Sequence, residues 1–162
     1  MGYLAITILH IAVSTRRTVS KMLRLSALLL LVSPVFGVFD INIGTVQSVA
    51  VKGKLMCDTV PANNVKVKLY EDEAVLDVLL DERFTDADGT FTIEGKKTEV
   101  TSIDPKINIY HRCNYDGICF KKITIVIPEA FVTNGETPAK VFDIGELNLA
   151  AKFQGQSTDC FN

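Results

Sequence analysis

The chain has 162 residues, of which 48% are hydrophobic, and it carries 17 basic against 19 acidic residues, a formal net charge of −2. This length is typical of one domain and leaves little room for a second. Because a nucleic-acid-binding protein normally has a basic surplus, the slightly acidic balance argues against that class of function.

The first forty residues explain part of the apolar content. Residues 22–37, MLRLSALLLLVSPVFG, combine a basic start at Arg24 with an apolar run and small or compact residues before the end. These are the features of a secretory signal peptide. The apolar run is about half of the roughly 20 residues that cross a bilayer, which disfavours a permanent transmembrane helix. We expect cleavage after Gly37, a single domain formed by residues 38–162, and a secreted, extracellular product.

Residues 1–21 precede this signal and contain a second, shorter apolar run. Two interpretations are open. In the one we favour, translation starts at Met22 and residues 1–21 are an upstream extension that results from the choice of start site. In the other, the first run is itself a signal or an anchor. All 19 acidic residues follow Gly37 and four of the 17 basic residues precede it, so the expected mature part has a net charge of −6.

Secretion would place the cysteines in an oxidising compartment, where disulfides form. Cys57, Cys113, Cys119 and Cys160 are an even set that allows three pairings. Cys113 and Cys119 flank NYDGI at residues 114–118, and Asp-Gly is a strong turn signal. Their sulfurs would then face each other across a hairpin. The sequence therefore predicts the disulfides Cys113–Cys119 and Cys57–Cys160.

Short segments that alternate between apolar and polar residues follow the leader, and this period of two indicates half-buried strands. The predicted strands are residues 49–57, 64–71, 82–84, 91–93, 106–111, 120–127 and 141–149. The acidic segment 71–82 does not alternate cleanly and predicts a loop or one helical turn. Residues 128–132 are the best helical candidate, although they are too short to stand alone. Seven short strands predict an all-β fold with two sheets packed as a β-sandwich.

Five stretches occur in a characteristic order: VKGKLMCDTVPANNVKVKLYE (51–71), TDADGTFTIEG (85–95), PKINIYHRCN (105–114), KKITIVIP (121–128) and FDIGELNL (142–149). With the four cysteines, they resemble the nematode transthyretin-like family of secreted proteins. The resemblance implies a prealbumin-like sandwich whose first and last strands are adjacent and parallel. That arrangement would bring Cys57 near the tail that carries Cys160. Because this bond would close the longer loop, it should contribute more to stability than Cys113–Cys119.

The prealbumin architecture also hosts the hydroxyisourate hydrolases, which resemble one another in using two histidines, an arginine and a C-terminal Tyr-Arg-Gly-Ser. This chain has only His10, in the leader, and His111, and it ends in STDCFN. Its first strand carries Lys52, Lys54 and Met56 where a histidine would be required. Since general acid–base chemistry of that type has no residues to use, we expect no catalytic residues and no enzyme.

Metal and redox sites are equally weak in the sequence. His111, Cys113 and Cys119 do not have a standard zinc spacing, and the cysteines lack the Cys-x-x-Cys spacing of redox motifs. Asp86 and Asp88 lack the other ligands of a twelve-residue calcium loop, so a surface turn is the better interpretation. We expect no metal and no cofactor.

Six lysines are the candidates for a patch that contacts a lipid head group or a partner: Lys66, Lys68, Lys96, Lys97, Lys121 and Lys122. Ordinary solvated strand lysines are the alternative interpretation. The predicted function is a secreted, non-catalytic binding module for an extracellular protein, a lipid head group or a small apolar ligand, with peripheral contact at the cell surface. A hydroxyisourate hydrolase-type enzyme and an extracellular structural protein are the alternatives. Ligand identity and oligomeric state are left open by the sequence.

Overall fold

The computed structural model describes residues 44–162, which form ten β-strands and one short 3-10 helix. The strands are β1 (Thr45–Cys57), β2 (Val60–Pro61), β3 (Lys66–Glu71), β4 (Val78–Phe84), β5 (Thr90–Glu99), β6 (Pro105–His111), β7 (Phe120–Val126), β8 (Thr133–Asn134), β9 (Val141–Asn148) and β10 (Ser157–Asp159), and the helix spans Glu129–Phe131. The predicted extension 1–21 and signal peptide 22–37 lie outside the described residues.

The first sheet is built around β1. This strand pairs antiparallel with β5 along most of its length and parallel with β9 from Ala50 to Met56. The two-residue strands β2 and β8 also pair with β1. The first long strand, β1, and the last long strand, β9, are thus adjacent and parallel, as the family resemblance implied.

The second sheet is antiparallel, with the strand order β10-β7-β6-β3-β4. Its strands alternate as the sequence predicted: in β3, Val67 and Leu69 are buried, whereas Lys66 and Lys68 on the other face are only partly buried. The apolar faces of the two sheets enclose the core, whose largest fully buried aliphatic side chains are Leu55, Leu69, Ile93, Ile103, Ile107, Ile109 and Leu149. The predicted all-β two-sheet sandwich is confirmed, and all seven predicted strands are present as β1, β3, β4, β5, β6, β7 and β9.

Strand β4 is longer than predicted, because part of the segment expected to be a loop or helical turn belongs to it. Leu69 pairs with Asp81, but the next residue, Tyr70, pairs with Leu79, so Leu80 is an extra residue on β4. Such a β-bulge interrupts the alternation of inward and outward side chains. Two adjacent leucines in a strand therefore obscured its period in the sequence.

The predicted disulfide Cys113–Cys119 is wrong. The β6–β7 ladder ends at the pair His111 and Lys121, two residues before the cysteines would face each other. A turn begins there, with the Tyr115 amide donating to the Arg112 carbonyl. Cys113 keeps the inward orientation of the buried β6 residues before it and is only 8% exposed. It is bonded there to Cys57 at the end of β1, with the two Cα atoms 5.6 Å apart.

The predicted disulfide Cys57–Cys160 is wrong for a related reason. The tail forms β10, which pairs with β7 so that Asp159 lies opposite Phe120. The next residue on each side is a cysteine, and Cys119 is bonded to Cys160 with a Cα–Cα distance of 4.4 Å. The sequence correctly predicted that all four cysteines form disulfides, but not which pairs, since the partners are decided by where the β6–β7 ladder ends and by the short tail strand β10.

Candidate functional site

His111 is the only histidine among the described residues, and it lies inside the fold. It is 2% exposed, and its Nε2 atom is 3.3 Å from Nε2 of Gln156. Burial and, to a smaller extent, the charge of Lys121 together lower the pKa of His111 to about 4. The side chain is therefore neutral at physiological pH and is shielded from a substrate in solution.

The six lysines predicted as one patch are distributed over both sheets. Lys96 and Lys97 lie on β5 of the first sheet, whereas the other four lie on β3 and β7 of the second. Four of the six are paired with carboxylates: Lys68 with Glu82, Lys96 with Glu136, Lys97 with three glutamates, and Lys122 with Asp159. Lys66 and Lys121 lie over the rings of Phe84 and Tyr115. The lysines thus mainly neutralise neighbouring acids.

Asp86 and Asp88 lie in the turn between β4 and β5, as the sequence predicted. The Gly89 amide donates to the Asp86 carbonyl at 2.9 Å, and Oδ1 of Asp88 accepts from the backbone and hydroxyl of Thr90. These hydrogen bonds lower the pKa of Asp88. The two aspartates stabilise a tight turn.

The most unusual exposed surface is the loop between β3 and β4. Val75 is 97% exposed and Leu76 is 79% exposed, and the exposed side chains of Val78 and Leu79 continue this surface into β4. We call these four residues the apolar tip. Isolated exposed aliphatic residues are common, but a group of four within five residues at an edge strand is typical of an interaction site. The sequence signal was an aliphatic run within the acidic segment 71–82.

The loop that carries the apolar tip is held at its base by Lys106 on β6. The Lys106 ammonium contacts Asp72 at 3.0 Å and Asp77 at 2.8 Å. Asp72 precedes Val75 and Leu76 in the loop, and Asp77 follows them. The Lys106 hydrogen bond lowers the pKa of Asp77. Burial lowers the pKa of Lys106, but its bonds to both aspartates outweigh this effect and raise it above the ordinary value.

A second lysine, Lys97 on β5, holds the other side of the loop. It forms ion pairs with Glu73 in the loop and with Glu99 at the end of β5, and Glu71 lies nearby. Its hydrogen bonds to Glu73 and Glu99 raise the pKa of Lys97 well above the ordinary value. The β3–β4 loop is thus tied to both sheets, which displays the apolar tip without burying it.

Comparison with known proteins identifies the family. A model described as Transthyretin-like family matches residues 52–128. Transthyretin-like protein 33 of Caenorhabditis elegans is 47% identical over 120 residues, covering 72% of this chain and 83% of that protein. Transthyretin-like protein 5 of the same organism is 45% identical over 124 residues, covering 74% of this chain and 88% of that protein. The chain belongs to the transthyretin-like family.

The match to the transthyretin-like family extends from β1 to just after β7 and includes the β3–β4 loop with its apolar tip. Among solved structures, a 9R-lipoxygenase from Cyanothece aligns with 64% of this chain and 16% of its own at 14% identity and a TM-score of 0.37, a level too low to indicate a shared fold. No helix within residues 44–162 has the length and apolarity to cross a membrane.

Proposed function

We propose that this transthyretin-like protein is a secreted, non-catalytic binding module that recognises an extracellular protein through its apolar tip. The observation that carries this proposal is the exposure of Val75 and Leu76 on a loop anchored by ion pairs. Adjacent aliphatic side chains that are ordered yet solvated gain free energy when a partner covers them, at about 25 cal/mol per Å² of apolar surface. Because the loop is already held in place, little conformational entropy is lost on binding.

The charges around the apolar tip favour a particular kind of partner. Asp72, Glu73 and Asp77 surround Val75 and Leu76, and the nearby lysines are paired with carboxylates. An anionic membrane would be repelled by this rim, whereas a protein pocket with an apolar floor and lysine or arginine at its edge would be complementary. A convex tip also fits into a pocket of a partner better than it encloses a small ligand.

Secretion is supported by the signal-like segment 22–37 and by the two disulfides, which persist in oxidising compartments. We expect the mature protein to begin at Val38. N-terminal sequencing of protein recovered from culture medium tests this start, and recovery of material that begins before Met22 would favour the long-leader interpretation instead.

The binding role is tested by pairing a tip variant with a matched control. In Val75→Ser/Leu76→Ser the apolar tip is made polar; in Val60→Ser/Ile118→Ser two similarly exposed aliphatic residues are changed near the opposite end of the sandwich. A photo-crosslinker at position 76 should capture one extracellular protein, which is then purified and titrated. We expect the tip variant to weaken its binding at least tenfold and the control variant to leave it unchanged.

Two results would contradict the proposal. Equal binding by the tip variant and the wild-type protein would show that the apolar tip is not part of the interface. Turnover of hydroxyisourate by the purified protein above the spontaneous rate would show that the module is catalytic. The position of His111 in the interior speaks against that outcome, since acid–base catalysis requires contact with the substrate.

A further inference from the structure

Three carboxylates meet where the two sheets approach each other beside the β3–β4 loop. Glu71 ends β3, Glu73 lies in the loop and Glu99 ends β5. One oxygen from each lies within 4.8 Å of the others. We call this group the glutamate cluster. Its members come from both sheets and from the loop, so whatever binds them links all three.

The charge of the glutamate cluster is only partly neutralised. Lys97 is the cation at its centre, with Nζ at 2.6 Å from Oε1 of Glu99 and also bonded to Oε1 of Glu73. The distance from Nζ to Oε2 of Glu71 is 3.7 Å, which is too long for a hydrogen bond. One ammonium thus faces three carboxylates, and the cluster has an excess of two negative charges.

Apart from the excess charge, the buried side chain of Glu71 also indicates that the cluster can bind a further cation. The residue is 5% exposed, and its Oε2 atom, which faces Lys97, has no hydrogen-bond partner among the described residues. A buried carboxylate oxygen without a hydrogen-bond donor is costly, and the Lys97 ammonium at 3.7 Å replaces its lost hydration only in part.

We propose that Glu71, Glu73 and Glu99 form a calcium-binding site in which Lys97 is the counter-ion when calcium is absent. All three ligands are carboxylate oxygens and the cluster contains no histidine or cysteine, which favours a hard cation over zinc. Calcium accepts irregular oxygen geometry, whereas magnesium requires a near-ideal octahedron. Glu73 lies in a loop and can adjust, and the long Lys97 side chain can turn toward solvent.

Because Lys97 competes with calcium for the carboxylates, we expect the affinity of the site for calcium to be low. Calcium must displace the ammonium from two carboxylates, so we expect a Kd of about 10⁻⁴–10⁻³ M, the range typical of extracellular calcium modules. The site does not depend on the proposed protein partner, since it is defined by the free protein. Neither Asp86 nor Asp88, the calcium candidates considered from the sequence, belongs to it.

The test is calorimetric titration of the purified protein with calcium chloride in metal-free buffer at constant ionic strength. Glu99→Gln should weaken binding at least tenfold, and Glu73→Gln, in the loop, is the second variant if Glu99→Gln does not fold. Glu136→Gln is the matched control, because Glu136 is an exposed glutamate paired with the neighbouring Lys96. Its affinity for calcium should equal that of the wild-type protein.

Lys97→Met tests the role of the lysine and separates this site from a nonspecific acidic surface. Removing the counter-ion should strengthen calcium binding at least tenfold and make the melting temperature more dependent on calcium. Three outcomes would overturn the proposal: no calcium binding by the wild-type protein, an equal loss in Glu136→Gln and in the cluster variants, or unchanged affinity in Lys97→Met. None of these measurements involves the apolar tip or its partner.

Discussion

Cys57, at the end of β1 in the first sheet, is bonded to Cys113, which follows β6 in the second, so this disulfide joins the two sheets at the edge of the core. The other bond, between Cys119 and Cys160, joins β7 to the tail strand within one sheet. The two bonds therefore constrain different parts of the fold.

Removing the inter-sheet disulfide should destabilise the protein more than removing the tail disulfide. The bonded cysteines are 56 and 41 residues apart, so the loop entropies differ little and each is worth about 4 kcal/mol in the chain-entropy model. Burial makes the difference, since Cys57→Ser/Cys113→Ser leaves a buried hydroxyl at position 113. We expect a loss of about 5–7 kcal/mol for this variant, because the buried hydroxyl adds about 1–3 kcal/mol, and about 4 kcal/mol for Cys119→Ser/Cys160→Ser, measured by urea unfolding.

Peptide mapping without reduction checks the pairing directly. Linked peptides should contain Cys57 with Cys113 and Cys119 with Cys160. A peptide in which Cys113 is linked to Cys119 would contradict the structure and restore the hairpin bond expected from the turn sequence.

His111 should make the protein less stable in mild acid. Its pKa is about 4 in the fold, below the ordinary value of 6.5, so the unfolded chain takes up a proton first as the pH falls. Stability is fully present above pH 6.5 and is lost between pH 6.5 and 4, by up to about 3 kcal/mol. Urea unfolding at pH 7, 6, 5 and 4 measures this loss.

His111→Gln is the variant that isolates this effect, because glutamine does not titrate and can still bond to Gln156. Its stability should fall less than that of the wild-type protein between pH 6.5 and 4. Parallel curves for the two proteins would assign the acid sensitivity to other groups.

Lys106 should control the order of the β3–β4 loop. In Lys106→Met the contacts to Asp72 and Asp77 are lost, and the two aspartates then repel each other. We expect faster amide hydrogen exchange in residues 72–77 and a stability loss of about 1 kcal/mol. Lys52→Met, which breaks an exposed pair with Asp143 in the other sheet, is the control and should leave exchange in the loop unchanged.

Gly89 should be intolerant of any side chain. It has a φ of +80°, and a Cβ atom there would overlap the Leu55 carbonyl oxygen. Gly145 has a similar φ of +70°, but a Cβ atom would meet nothing within 4 Å. Gly145→Ala should therefore cost only the backbone strain of about 1–2 kcal/mol, whereas Gly89→Ala should cost at least about 3 kcal/mol. Equal losses in thermal unfolding would mean that the turn relaxes around the new methyl group.

The sequence by itself determined the features that depend on neighbouring residues. The alternation of Val67 and Leu69 with lysines predicted β3, and the Asp-rich turn at residues 85–89 predicted the β4–β5 connection, because side chains in a strand alternate with a period of two and turns require particular residues. Five ordered stretches and four cysteines were also enough to indicate the family, which the comparisons confirmed.

Only the tertiary structure decided which distant residues meet. The disulfide partners depend on where the β6–β7 ladder ends and on the tail strand β10, and neither leaves a local pattern in the sequence. The extra residue Leu80 hid the start of β4 for the same reason, since a bulge is defined by the partner strand. Glu71 and Glu99 are far apart in the chain and come together because β3 and β5 end at the same edge of the sandwich. Such contacts are set by sheet packing and strand register, which follow from the burial of the whole core.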